Sequence, residues 1–491
     1  MDRKVREPQG GLSLRTNFSW LSVGRIIHAA TEWASIAVLA KLSAIGTVGE
    51  FTLALAISAP VVGLANLGLR QAEATDVREE YRFGDYFCLR LFCGFLALLA
   101  IGGAIPTVGY GWNTGIVIAL VGLARVIDMQ SEIFYGLYQS RERLDYVAWS
   151  LIIRGSLSLA FLAAGMVMTG QLAVAVMGRV AGSLLVFWCY DLRTGMRLKA
   201  LTSGVDAATT ASLPSGILPI WDSRILARLA WQTLPLGVVS VLSSLHTMLP
   251  RYFIERQLGV EELGHFAVMI YIVVGVDRVV GALGSSAVAR LARHYANAEA
   301  RAFVALLTKM AGIGAFFGCL GLLVAGLAGR QILTTLYSPD YAAHADVFVL
   351  IMAAAIIRYV ATLLGPGVTA ARRFRILLAQ HAVATAAALA ASYWLIGPYG
   401  LRGAAFVTVI TFTVNLVGVM LINVSSVRNL QNRGRTVIDP GPHPETMWPA
   451  EATHGTSHRE DEKGMRPVGP TLVRGPGFLF LRHIPSTIRR P

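Results

Sequence analysis

Apolar positions along this chain come in unbroken blocks of membrane length rather than in the half-apolar stripe of a soluble helix or the alternation of a strand. Each block closes on a short polar or Gly/Pro-bearing stretch. Requiring about 20 mostly apolar residues per block gives 12 spans, at 18–40, 50–69, 86–106, 114–138, 146–168, 172–190, 229–250, 264–286, 303–328, 343–369, 376–397 and 401–423. The pattern predicts an all-α polytopic membrane protein. A polar connection at 192–228, which includes L-T-S-G-V-D-A-A-T-T-A-S-L-P-S-G, divides the spans into two sets of six. The expected organisation is therefore an N-terminal segment 1–16, a six-helix lobe 17–191, a linker 192–228, a second lobe 229–424 and a disordered tail 425–491.

Short matches between the halves suggest a duplication. L-S-A-I-G-T-V-G-E-F (42–51) aligns with Q-L-G-V-E-E-L-G-H-F (257–266), so that Gly49-Glu50-Phe51 falls on Gly264-His265-Phe266. G-L-Y-Q-S-R (136–141) similarly falls on G-V-T-A-A-R (367–372). With six spans in each half the repeats share one orientation, related by an axis along the membrane normal.

Charge refines the topology. The net charge is +14, a balance that can signal nucleic acid, anionic lipid or topology. If the N-terminus is cytoplasmic, the inner connections hold 16 Lys and Arg and the outer ones five, as positive-inside insertion requires. Topology accounts for most of the excess without nucleic acid, and both termini are expected on the cytoplasmic side of an inner membrane. The first apolar run is long and lacks a small-residue cleavage site, so it reads as retained. Cys88, Cys93, Cys189 and Cys319 lie in apolar runs without ligand-like spacing and read as packing residues.

The candidate chemistry is in the charges within the spans. Arg25, His28 and Glu32 occupy an arc of about 60° on the first span at 100° per residue, and Arg125, Asp128 and Glu132 repeat the spacing on the fourth. Facing lipid, each central charge would cost roughly 2.5–3.5 kcal/mol, so such groups face the bundle interior or a wet cavity. Arg154, Arg179, His246, Asp277, Arg278, Lys309, Asp346 and Arg358 complete the set, with Arg179 and Lys309 placed to snorkel. The competing structural reading is a group of internal ion pairs, with Arg125–Asp128 as the obvious one. An excess of Arg over carboxylate favours an anionic, phosphate-bearing ligand, because guanidinium is a planar fork of donors. No G-x-x-x-x-G-K-[ST] loop, metal-ligand spacing or long catalytic outer loop is present, so no cofactor or enzymatic chemistry is expected.

The stretch L-P-L-G-V-V-S-V-L-S-S-L-H-T-M-L-P-R-Y-F-I-E-R-Q-L-G-V-E-E-L-G-H-F-A-V-M-I-Y-I (234–272) resembles the start of the second half of Wzx-like oligosaccharide flippases. That polysaccharide-biosynthesis family lies within the multidrug/oligosaccharidyl-lipid/polysaccharide (MOP) exporter superfamily. A-L-G-S-S-A-V-A-R-L-A-R-H-Y-A-N-A-E (282–299), L-Y-S-P-D-Y (336–341), G-P-Y-G-L-R-G-A-A (397–405), N-F-S-W-L (17–21) and N-L-G-L-R (66–70) fit the same resemblance, which covers roughly 14–424. It implies two six-helix lobes of the multidrug-exporter (MATE-like) type around a cavity that opens alternately to each side, moving a polyprenyl-pyrophosphate-linked oligosaccharide outward. Cationic cavity residues would engage the pyrophosphate, and the first and eighth spans, which carry Arg25 and Arg278, would flank a lateral opening for the lipid tail. The expected substrate-binding residues are Arg25, His28, Arg154, Arg278 and Arg358. Glu32, Asp128, Glu132 and Asp277 are the candidates for coupling to a proton or sodium ion, with Glu32 alternatively orienting Arg25. Membrane lipid, a glycan polymerase and chain-length proteins are the partners such a system calls for. Three other readings compete: a small-cation or drug antiporter of the same superfamily, a glycan polymerase or ligase, and a non-transporting scaffold.

Overall fold

The computed structural model describes residues 14–76, 80–202, 221–371 and 374–438, and no strand occurs among them. The first half is built from α1 (Leu14–Leu42), α2 (Ile45–Asn66), the short α3 (Leu69–Thr75), α4 (Phe83–Val108), α5 (Trp112–Ser140), α6 (Leu144–Thr169) and α7 (Leu172–Val186). A π-helical turn, Phe187–Leu192, joins α7 to α8 (Arg193–Thr202). The second half holds α9 (Ser223–Leu258), α10 (Val260–Ala296), α11 (Ala300–Leu336), a 3₁₀ turn Pro339–His344, α12 (Ala345–Ala370) and α13 (Phe374–Ile438).

Nine helices among the described residues are long and apolar enough to cross a membrane. The bearers of the two charged stripes, α1 and α5, are not among the nine, and α13 counts once although Gly400 (φ 57°, ψ −139°) breaks it in two. Adding these gives the twelve membrane-length segments expected from hydrophobicity. Two boundaries differ from the expected ones. Helix α13 continues to Ile438, so 425–438 are helical rather than part of a tail, and the expectation of disorder for 439–491 lies outside the described residues. The linker is helical at both ends, as α8 and as the start of α9 from Ser223, where the Asp222 carboxylate accepts from the main-chain N–H groups of Arg224 and Ile225.

Within the first half α1 packs on α6, α6 on α7, and α5 on α2, α4 and α7; within the second, α9 packs on α13, and α12 on α10, α11 and α13. The halves meet along a seam in which α2 lies against both α9 and α10 while α1 lies against α10. The repeat read from the sequence has a structural counterpart at this seam. A Cβ on Gly49 would meet the carbonyl of Val260, and a Cβ on Gly264 would meet the carbonyl of Ile45. Ile45 and Val260, like Gly49 and Gly264, are 215 residues apart, so the contact is reciprocal, the signature of a two-fold relation. Phe51 and Phe266, two residues beyond the glycines, are both buried. Only glycine lets the two helix starts come this close. The halves are thereby drawn together on the side where α2 begins, termed here the Ile45 side; α1 begins on the opposite, Leu14 side.

At the Leu14 end of α2 the chain turns through Leu67 (φ 48°) and Gly68 (φ 62°), two successive left-handed residues, before α3. The turn holds Asn66 inside the first lobe and carries Arg70 toward Tyr135, whose ring centroid lies 5.5 Å from the guanidinium carbon.

Candidate functional site

The charged stripes point into the first lobe, where they meet partners that hydrophobicity alone does not identify. Glu32 of α1 accepts from Arg179 of α7 at 2.6 Å, and Arg179 is buried, so it is an internal cation and not a snorkelling one. Asp128 of α5 pairs with Arg154 of α6 at 3.4 Å, not with Arg125 on its own helix. Arg154, 3% exposed, also donates to Asp191 at 2.6 Å. The π-turn after α7 keeps Asp191 inside the lobe, and Tyr138 donates to its main-chain carbonyl at 3.0 Å. Glu132 of α5 accepts from Arg90 of α4 at 3.2 Å and from Asn66 at 2.9 Å. Arg90 is fully buried and donates further to Asn66 and to the carbonyl of Met129, at 3.0 and 2.7 Å. His28, partly buried, lies within electrostatic reach of Glu32, Asp128, Arg154 and Arg179, and its Nδ1 makes no hydrogen bond.

Arg90, Arg125, Arg154 and Arg179 thus stand against Glu32, Asp128, Glu132 and Asp191, with the buried Glu73 of α3 also in electrostatic reach of Arg90. Such charges hold their place in an apolar bundle only when paired and hydrogen-bonded. Among the four arginines Arg125 alone makes no ion pair, although Glu32 and Asp128 lie within electrostatic reach. The second lobe holds a smaller unit of the same kind. Arg358 of α12 donates through Nε and Nη2 to one oxygen of Asp277 on α10, at 3.1 and 2.9 Å, and Thr362 donates to the other at 2.5 Å. Seven of the nine residues proposed from sequence therefore lie in or beside these two networks: His28, Glu32, Asp128, Glu132, Arg154, Asp277 and Arg358.

The other two are Arg25 and Arg278. Both are exposed, and neither makes an ion pair among the described residues. Arg25 on α1 is in electrostatic reach of Arg278 on α10, across the seam, and of Arg70 on α3. Arg70 likewise has no ion pair among the described residues. Arg25 thus has two further guanidinium groups in electrostatic reach, one from each lobe. Glu73, buried on the same short helix as Arg70, is the nearby carboxylate; like charges set within reach of one another favour an anion of more than one charge, and the guanidinium fork suits phosphate oxygens. A crevice of about 660 Å³ nearer the starts of α4 and α9 is lined by Glu80, Tyr81, Arg82, Asp85, Asp222, Ile225 and Arg228, and none of the three arginines borders it. Its mixed signs make it a poor anion site.

Sequence reasoning missed Arg90, Asp191 and the part played by Arg70. Arg90 and Asp191 stand at the edges of apolar runs, where a charge reads as topology or snorkelling. The signal for Asp191 was the continuation of helical pattern past residue 190; for Arg90 it was Asn66, a polar residue fixed one position before a left-handed turn. Among the described residues no group of His, Cys, Asp and Glu has the geometry to hold a metal ion.

Among the described residues, twelve membrane-length segments in two lobes, joined at a glycine-lined seam, form a multi-pass membrane protein whose fold is that of solved MATE transporters. Solved structures bear this out. An inward-facing multidrug-resistance MATE transporter of that superfamily aligns with a TM-score of 0.57 at 13% identity, over 87% of this chain and 97% of that one. The eukaryotic MATE transporter AtDTX14 aligns with a TM-score of 0.55 at 13% identity, over 85% and 98%. A MOP-superfamily transporter from Pyrococcus furiosus, described as having a binding pocket of reversed polarity, aligns with a TM-score of 0.56 at 13% identity, over 85% and 96%. No protein-family model matches the chain. In sequence it is 24% identical over 404 residues to the capsular polysaccharide biosynthesis protein CapF of Staphylococcus aureus, covering 82% of this chain and 97% of CapF. The resemblance drawn from the residues therefore holds: the chain is similar to a polysaccharide-biosynthesis protein and has the MOP fold.

Proposed function

We propose that this protein is a flippase that moves a polyprenyl-pyrophosphate-linked oligosaccharide across the inner membrane by alternating access, with the Leu14 side cytoplasmic. The observation that carries the reading is that Arg25 has Arg70 of its own lobe and Arg278 of the other lobe in electrostatic reach, and that none of the three makes an ion pair among the described residues. A diphosphate bridging the three arginines would be held by both halves at once, and rocking of one half against the other would carry it across. The relationship to CapF supports a glycan cargo. A small-cation antiporter needs free carboxylates at its cavity, whereas Glu32, Asp128, Glu132 and Asp277 are each engaged by an arginine.

The test is protein-dependent flipping of a fluorescent polyprenyl-pyrophosphate oligosaccharide in proteoliposomes. Arg25→Ala, Arg70→Ala and Arg278→Ala should each lower flipping at least tenfold, the worth of about 1.4 kcal/mol of lost phosphate binding. Charge-retaining Lys variants should recover part of it. Flipping at the native rate in all three alanine variants would remove the arginines from the path, and no flipping by the native protein of an authenticated substrate would refute the function.

A further inference from the structure

The second lobe contains a pair of histidines that the anion site does not use. His246 on α9 is 2% exposed and His381 on α13 is half-buried; their rings stack with centroids 5.4 Å apart and planes inclined by 21°. Nδ1 of His246 lies 3.0 Å from the carbonyl oxygen of Leu242, one turn back, and therefore carries the hydrogen. That leaves Nε2 as a bare lone pair, and Nε2 of His246 and Nδ1 of His381 both lack a hydrogen-bond partner among the described residues. A buried polar atom left without a partner costs free energy, so such an atom calls for an explanation. Two such atoms on facing rings within one bundle call for a shared account.

The backbone supplies a second, independent feature. Pro250 stands four residues after His246 inside α9, so the His246 carbonyl lacks the N–H that would cap it in a regular helix. Thr385 of α13 donates to the Leu242 carbonyl at 3.2 Å and to the His381 carbonyl at 2.8 Å, tying the two histidine turns together. Helix α9 therefore carries the histidine on a proline-weakened stretch and packs on α2 at the seam, where Tyr252 donates to the Ala56 carbonyl at 2.7 Å.

We propose that His246 and His381 form a site for a single proton, and that its occupancy biases the position of α9 at the seam. The proton arrives from solution at a bare imidazole nitrogen and leaves to water, with no other bond made or broken. One proton, not two, is the capacity, because two imidazolium rings 5.4 Å apart repel each other. The titratable groups facing the pair are few. Arg358 of α12 is within electrostatic reach of both rings, and Asp277 of α10 is held by Arg358; among the described residues no titratable group of α2, α4 or α11, which also pack on α9 or α13, acts on either ring. Arg358 repels a proton on either ring, the first as well as the second, so the pair holds a proton only weakly and gives it up readily. The coupling of this proton to transport rests on the flippase reading; the proton site itself does not.

Two measurements on the full chain separate these claims. The first is NMR of ¹³C-histidine-labelled protein in lipid nanodiscs, titrated without substrate and assigned by the signals lost in His246→Gln and His381→Gln. The expected result is one shared protonation step for the two rings; two independent steps, or none down to the acid limit of the folded protein, would overturn the site. The second is flipping in proteoliposomes with and without an imposed pH gradient. The native protein should respond at least about fivefold, the low end of ordinary coupling between sites. Both Gln variants should flip as the native protein does without a gradient and lose the response. A response that survives in both variants would overturn the coupling. Absence of flipping in every condition, with the shared protonation step present, would sink the flippase reading and leave the proton site standing.

Discussion

The reciprocal glycine contact makes a sharp prediction about alternating access. In Gly49→Ala the new Cβ would overlap the Val260 carbonyl oxygen if nothing moved, and in Gly264→Ala it would overlap that of Ile45. An ordinary C···O approach is about 3.3 Å, so the starts of α2 and α10 must part by roughly 1 Å or more. The obstructing atoms are backbone and have no rotamer to escape into. Overpacking of this kind costs about 1–3 kcal/mol, and it acts only on the state in which the Ile45 side is closed. That state should therefore lose population against the alternative by about 5- to 150-fold. The assay is disulfide trapping in a cysteine-free background of Gly46→Cys with Glu261→Cys, since a Cβ at 46 would lie 3.6 Å from the Glu261 side chain. Cross-linking yield should fall at least fivefold when Gly49→Ala or Gly264→Ala is added, and should be unchanged by Gly312→Ala, where nothing lies within 4 Å. Unchanged cross-linking in both seam variants, in protein of native thermal stability, would refute the idea that this contact is the closed gate.

Two further outcomes follow from the networks and the breaks. Glu132→Ala strands the fully buried Arg90 with only Asn66 and a carbonyl; it should destabilise the protein by about 3 kcal/mol in unfolding in detergent, and Arg90→Met with Glu132→Met should recover most of that. Gly400→Ala places a side chain at φ 57°, ψ −139°, a conformation open almost only to glycine, and should lower the melting temperature, whereas Gly403→Ser tests packing separately, because a Cβ there meets the Leu395 carbonyl.

The twelve segments, the two halves and even the register of the repeat could be read from the chain, because each depends on runs of like residues that a membrane enforces locally. Gly49 and Gly264 were visible as a matched pair, but their contact was not, since nothing in either segment says that the two copies face each other. The site was legible in kind more than in detail. Arg25 and Arg278 stood out as cations at membrane depth. Which charges cancel could not be read, because pairing depends on helices distant in sequence: Arg179 reaches Glu32 over 147 residues, and Arg154 reaches Asp191 over 37. The i, i+3 spacing of Arg125 and Asp128 pointed to a local pair, and the tertiary partner Arg154 prevailed. Arg70 looked like a topological charge at a span end until the left-handed turn at Leu67 and Gly68 brought it over Tyr135.

The Glu32–Arg179 pair is where a coupling role and a structural role can be told apart. Glu32 is at once the carboxylate that a coupling ion would titrate and the partner that neutralises a buried arginine at 2.6 Å. Glu32→Gln alone damages transport under either role, because it both removes the titrating group and leaves Arg179 uncompensated. The double variant Glu32→Gln with Arg179→Met removes the stranded charge as well, and replacing a buried ion pair by groups of similar volume is often close to neutral for stability. If the pair serves only to hold α1 against α7, the double variant should fold and flip within a few fold of the native protein while Glu32→Gln alone loses most activity. If Glu32 couples an ion, the double variant should regain stability and still fail to respond to a gradient. Because the second lobe already holds an independent candidate for the proton at His246 and His381, the structural outcome is expected here. A double variant that is stable in unfolding yet blind to pH would move the coupling group from the second lobe to the first.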